Sequence, residues 1–246
     1  RITHDRKENS NRILGNSRGR SNYCIFTFMW ELYLMVFNSV YQMTNPLTEV
    51  RKQHFWDWFS GDAPNSRWTL EQLVGGDSTF TASDSVDGGM NFANNSTFNR
   101  VANIHFNNKR QYAYDGSTFI WVVKRNSATS LGILLDIGLN GTTGQSSTNS
   151  IVFRQYDDGS SFVGALSKSA TTESTTATDV ATNSNMQVLK CAVDASNAIY
   201  SINGVTKVTK TTNLPVAKMQ PKIRMDNITD TGVRDVNMTY LEVYNT

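Results

Sequence analysis

Gly15-Asn16-Ser17-Arg18-Gly19 has the G-x-S-x-G spacing of a nucleophile elbow. An elbow needs a buried strand before its serine and a helix after it. Only Ile13 and Leu14 precede this one, so the spacing carries no acyl-transfer chemistry. Glycoside hydrolysis with retention needs two carboxylates about 5 Å apart, one as nucleophile and one as acid and base. From Met43 onward the chain has four glutamates, Glu49, Glu71, Glu173 and Glu242, and none has an acidic residue two positions later. Side chains alternate along a strand, so that spacing is what would aim two carboxylates into one groove. Asp136, in "LGILLDIG", stands alone in its stretch; it can bond a sugar hydroxyl or satisfy a nearby turn. His54 and His105 lack the spacing of zinc ligands. Cys191, between Leu189 and Val193 at period two, reads as a small core residue rather than a nucleophile. No catalytic set emerges, and the expectation is a protein that is not an enzyme.

Binding chemistry is better represented. The loop "NNKRQYAYDG" combines planar amides, a basic pair and aromatics. Its Asn107, Asn108, Tyr112 and Tyr114, with Tyr156 and Asp158 in a second turn, are the candidate ligand-binding residues: the rings stack on sugar faces and the polar groups bond hydroxyls. An ordinary solvated loop is the competing reading. Asp157-Asp158, Asp226-Asn227 and Asp230 supply hard oxygen ligands of the kind calcium takes. No dense D-x-D-x-D-G run is present, and turn capping explains these residues more simply. No resident cofactor or metal is expected, with calcium the one ion left open.

The elements that must position these residues are strands. At 246 residues, 39% hydrophobic and 18% charged, the chain has the make-up of one large globular domain. Its charge is uneven. Residues 1–42 carry six basic and three acidic side chains, and 43–246 carry seventeen and eighteen. A nearly neutral body lacks the concentrated basic face of a nucleic-acid binder. With only Cys24 and Cys191 present, a disulfide framework is not expected.

Residues 1–42 form a segment apart, with the apolar run "YCIFTFMWELYLMVF" over 23–37 after Arg18 and Arg20. Fifteen residues fall short of the roughly 20 that span a bilayer, and match a signal-peptide core without its small-residue cleavage site. Signal or anchor, in-frame upstream extension before Met43, and folded arm remain three open readings. Membrane association is expected only if 23–37 is retained as an anchor.

From Asn45-Pro46 the cap signals predict a short helix ending near His54. Beyond it the apolar runs are short and separated by turns. Strands are expected near 67–73, 78–82, 89–94, 102–106, 117–125, 132–138, 150–156, 161–166, 187–193, 198–202, 205–209, 221–225 and 236–244. Asp87-Gly88-Gly89, Asp115-Gly116, Asn140-Gly141, Asp158-Gly159 and Asn203-Gly204 offer the positive-φ positions of tight turns. A type I′ turn at Asn203-Gly204 predicts Ile202 opposite Val205 and Ile199 opposite Val208, on opposite faces. The Ser/Thr-rich run 167–185 is either a mobile loop or an exposed edge strand. About a dozen strands suit two packed sheets.

Four segments then carry a resemblance. "HFWDWFSGDAPNSRWTLEQ", "STFIWVVKRNSATSLGILLDIG", "NMQVLKCAVDASNAIYSINGVTKVTKT" and "VNMTYLEVYNT" follow one another as in the concanavalin A-like, laminin G-like jelly roll of the lectin and glucanase superfamily. The resemblance covers roughly 54–246. It implies an all-β jelly-roll sandwich of two antiparallel sheets with a short N-terminal helix over 43–246, and a separate leading segment over 1–42. The related glucanases carry their carboxylates on one strand as E-x-D-x-x-E or a near variant, which this chain lacks. The implied function is a lectin-like module that binds glycan at a cell or particle surface. The alternative is a structural or decoration subunit of a virion or surface assembly, with a neighbouring protein subunit as partner. Five Asn-x-Ser/Thr sequons, at Asn94, Asn95, Asn140, Asn227 and Asn237, matter only in a glycosylating secretory route.

Overall fold

The computed structural model describes residues 53–83, 88–94, 100–107, 109, 112, 115–125, 133–143, 149–156, 162–169, 172–181, 184–227 and 234–245. The leading segment 1–42 and the start of the expected helix at Asn45 lie outside them. His54, placed at that helix's end, is instead in a strand. Cross-strand partners on the C-terminal strand impose the extended form that the local capping signals do not foresee.

Fifteen strands are described. They are β1 (Gln53–Asp57), β2 (Thr69–Val74), β3 (Thr79–Ala82), β4 (Met90–Asn94), β5 (Arg100–His105), β6 (Ser117–Arg125), β7 (Ile133–Asn140) and β8 (Asn149–Tyr156). The rest are β9 (Phe162–Ser169), β10 (Thr172–Ala181), β11 (Gln187–Val193), β12 (Ala198–Ile202), β13 (Val205–Lys210), β14 (Gln220–Asn227) and β15 (Arg234–Asn245). They form an eight-stranded sheet, β13-β12-β11-β6-β15-β4-β3 with β1 also on β15, and a seven-stranded sheet, β10-β9-β8-β7-β14-β5-β2. Every pairing is antiparallel. The molecule is thus the expected two-sheet β-sandwich.

The period-two alternation of the sequence becomes the core. In β11 and β12 every second residue is buried, and Phe119, Trp121 and Val123 of β6 meet Leu135, Ile137 and Phe153 of the opposite sheet in one apolar cluster. The stretch "FWDWFSG" is held by a polar latch. Asp57 accepts the Phe59 amide on Oδ1 and the Trp68 indole N–H on Oδ2, both at 2.9 Å. That latch fixes Phe59 at φ 49°, a left-handed conformation that a bulky residue keeps only where its surroundings determine it. Its ring then lies 6.2 Å from Trp121 and nearly parallel to it.

Within the Ser/Thr-rich run, 167–169 end β9 and Thr172–Ala181 form the edge strand β10. Lys210 of the other sheet covers its free side by donating to the Ser174 carbonyl at 2.9 Å and Thr176 Oγ1 at 3.2 Å. Both turn residues of the β12–β13 hairpin have positive φ, Asn203 at 51° and Gly204 at 80°, and Ile202 does face Val205. The pairing beyond it differs. A bulge between Tyr200 and Ser201 puts Val208 opposite Tyr200 and leaves Ile199 opposite Thr209. The extra residue turns Val208 into the core, while Val205 is 56% exposed. Asn94, Asn140, Asn227 and Asn237 are all buried, so four of the five sequons are not presented by the folded domain; Asn95 lies outside the described residues.

Candidate functional site

The inner face of the seven-stranded sheet is apolar and its outer face is charged. Antiparallel register sets Glu71, Asn103, Arg224, Asp136 and Arg154 side by side across five strands. The next row holds Thr69, His105, Lys222, Gly138 and Val152. Alternation explains why one face collects them: in β14 the sequence Lys222-Ile223-Arg224-Met225-Asp226 sends charges outward and Ile223 and Met225 into the core.

The charges are locked in pairs. Arg154 donates from Nε and Nη2 to the two oxygens of Asp136 at 2.5 and 2.7 Å, and from Nη1 to Glu173 at 2.7 Å. Arg224 holds Asp226 through both carboxylate oxygens. His105 accepts the Asn107 amide at Nδ1, 2.9 Å away, so its proton sits on Nε2 and is donated to Glu71 at 3.1 Å. Burial lowers the imidazole pKa against the opposing pull of Glu71. Lys222 donates to the carbonyls of Thr143 at 2.8 Å and Thr142 at 3.4 Å, and Asn103 donates to Thr143 at 2.6 Å. The turn after β7 is thereby tied down on this face.

Burial, reinforced by Arg224, pushes the Lys222 ammonium down to about 8. Burial raises the Asp226 carboxyl against the stabilising Arg224. An ammonium whose folded pKa is depressed costs stability while it is charged. Because the unfolded chain binds more protons between about 8 and the ordinary lysine value near 10.4, stability rises with pH across that window. Wild-type protein is therefore expected to gain on Lys222→Met as pH rises from 8 to 10, by thermal melts of both. A difference that stays flat would place the ammonium in contact with solvent.

Asp136, Asp226, Glu173 and Glu71 each face an arginine or a histidine. Among the described residues no group of three or more His, Cys, Asp or Glu is placed to hold a metal ion. Asp226, weighed as a calcium ligand from the sequence, is instead clamped by Arg224. Cys191 is fully buried, and burial drives its thiol pKa well up, as befits a core residue.

Of the sequence-derived binding set, the described residues include Tyr112, Asn107 and the strand position of Tyr156. Tyr112 is 1% exposed and packs in the core, where its backbone exchanges two hydrogen bonds with Met219. It cannot stack on a ligand. Asn107 is exposed, and its φ of 49° and amide bond to His105 tie it to the rim of the charged face. Tyr156 ends β8 opposite Leu134, its side chain outside what is described; Asn108, Tyr114 and Asp158 also lie outside the described residues. The charged row was missed because its members come from five strands. The signal available was the alternation of charge in Lys222-Ile223-Arg224-Met225-Asp226.

No protein-family model matches the chain, and no curated protein matches it. Solved structures share its fold. A β-1,3-glucanase from Mycobacterium marinum is 14% identical, with 80% of this chain and 99% of that one covered at a TM-score of 0.55. Crh5 transglycosylase in complex with NAG is 13% identical over 78% of this chain and 84% of its own, at 0.56. Rv0315 of Mycobacterium tuberculosis, described as an immunostimulatory antigen and pseudo β-1,3-glucanase, is 15% identical over 78% and 98%, at 0.57. At this identity the likeness shows the all-β sandwich fold alone.

Proposed function

We propose that this domain is a non-catalytic, lectin-like module of the concanavalin A-like type that binds carbohydrate at a cell or particle surface. The carrying observation is the outer face of the seven-stranded sheet. It presents partly exposed planar groups, Arg224 and Glu71, whose geometry is set by the sheet and by their contacts with Asp226 and His105, and such preset groups are what hydroxyl recognition uses. Arg224, Asp226, Glu71 and Glu173 remain partly exposed along it. The carboxylates of Asp136, Asp226, Glu71 and Glu173 are each engaged by an arginine or a histidine, which favours holding a sugar over cleaving it. The shared fold adds support, since neighbours include a glucanase, a transglycosylase holding NAG and a pseudo-glucanase; a fold alone does not assign a function.

The full chain is expected to bind a defined glycan class saturably on an array, with or without EDTA, and to release no reducing ends from β-1,3-glucan on long incubation. New reducing ends would make it an enzyme. A blank array from well-folded protein would leave the packing role, as a structural subunit of a virion or surface assembly, as the better reading.

A further inference from the structure

We propose a second carbohydrate site, on the outer face of the eight-stranded sheet, where Trp56 and Trp58 form a stacking platform for an uncharged pyranose chain. The inference rests on the reading of the domain as glycan-binding and concerns a different face from the charged row. Among the described tryptophans, Trp68 and Trp121 are buried, whereas Trp56 is 55% and Trp58 43% exposed. In β1 the register puts His54 beside Tyr244 and Trp56 beside Glu242. These lie on the face away from Phe55, which is in the core.

Beside Trp56 across the strand pair is a buried polar group, Glu242. The Glu242 side chain is 3% exposed and accepts hydrogen bonds from His54 Nε2 at 2.9 Å and from the Tyr240 hydroxyl at 3.2 Å. Trp58 packs on Tyr240 with ring centroids 4.5 Å apart, and His54 meets Tyr244 edge-on at 6.1 Å. The buried carboxylate thus fixes the tyrosine and histidine that hold the outer layer. A rigid aromatic surface loses little entropy when a ligand covers it.

The chemistry of the ligand follows from size and charge. Given 150–250 Å² for a large aromatic side chain, the two rings expose roughly 200 Å² together. That is well below the roughly 800 Å² each partner commits to a stable protein interface, and it suits one or two sugar rings. On this face the register runs Trp56, Glu242, Ile120, Lys190, so the charge beside the indoles is the buried Glu242 carboxylate, which disfavours an acidic sugar, and Lys190 stands two strands beyond it. The electron-rich faces of two indoles attract the C–H edges of a pyranose, and nothing here compensates an acidic sugar.

The test titrates full-length protein with neutral β-1,3-gluco-, β-1,4-gluco- and chito-oligosaccharides by tryptophan fluorescence and calorimetry. Trp56→Ala with Trp58→Ala is expected to weaken binding at least tenfold at unchanged melting temperature. Trp56→Phe with Trp58→Phe, which keeps a stacking ring, should recover most of it. Wild-type affinity in the double alanine variant would overturn the site and leave the lectin reading standing on the charged face. No binding by the wild type to any of these or to the array would remove both.

Discussion

Asp136→Ala is expected to lower the unfolding free energy by about 3 kcal/mol, read as a fall in urea midpoint at constant slope. Asp136 and Arg154 are 5% and 7% exposed, and the guanidinium spends two of its donors on this one carboxylate. Removing the carboxylate takes two hydrogen bonds from a buried cation and leaves it Glu173, a side chain 38% exposed on the edge strand β10, among its partners. The loss is therefore mostly the cost of leaving a buried guanidinium with fewer hydrogen bonds, and not the intrinsic worth of the bridge. That distinction has a consequence. Asp136→Leu combined with Arg154→Met removes both charges at similar volume and should recover most of the stability. A single Asp136→Ala within 1 kcal/mol of wild type would mean that Arg154 swings out to water, and that the row is a surface and not a structural unit.

Much of the sandwich was legible because a strand's alternation is a local property. Ser117–Arg125, Gln187–Val193 and Ala198–Ile202 form with the bounds that their apolar period and flanking turns dictate. What failed was non-local. Nothing between Asn45 and His54 announces that residues 53–57 will pair with 241–245, nearly 190 positions away. The hairpin at Asn203-Gly204 fixed its first pair, but the bulge that follows serves Val208's burial, a demand made by the opposite sheet. Tyr112 sits in so polar a stretch that a solvated loop is the natural reading, yet a two-bond bridge to Met219 carries its ring inside. Glu71, Asp136, Arg154 and Arg224 are unremarkable one by one. They become a site only when the registers of β2, β5, β14, β7 and β8 align them. Trp56 and Trp58 were visible as aromatics in "FWDWF", but which of the alternating rings faces water depends on which sheet β1 joins.

The centre of the core yields the other large effect. Trp121→Ala is expected to cost about 3–5 kcal/mol, the range for truncating a large buried aromatic that its surroundings cannot collapse around. The ring is fully buried, near-parallel to Phe59 and 5.9 Å from Trp68, and so connects β6 to the latch that Asp57 builds with Phe59 and Trp68. Its indole Nε1 finds no hydrogen-bond partner among the described residues. A buried, unpaired N–H carries a desolvation cost of about 1–3 kcal/mol. Trp121→Phe deletes that cost along with part of the packing, so it should fall well short of the alanine variant, near 1–2 kcal/mol by calorimetric melting. Equal losses for Phe and Ala would show that the indole nitrogen is bonded after all. A small loss for both would show that Phe59 and Trp68 close over the space, and the latch would then be holding a core that can repack without it.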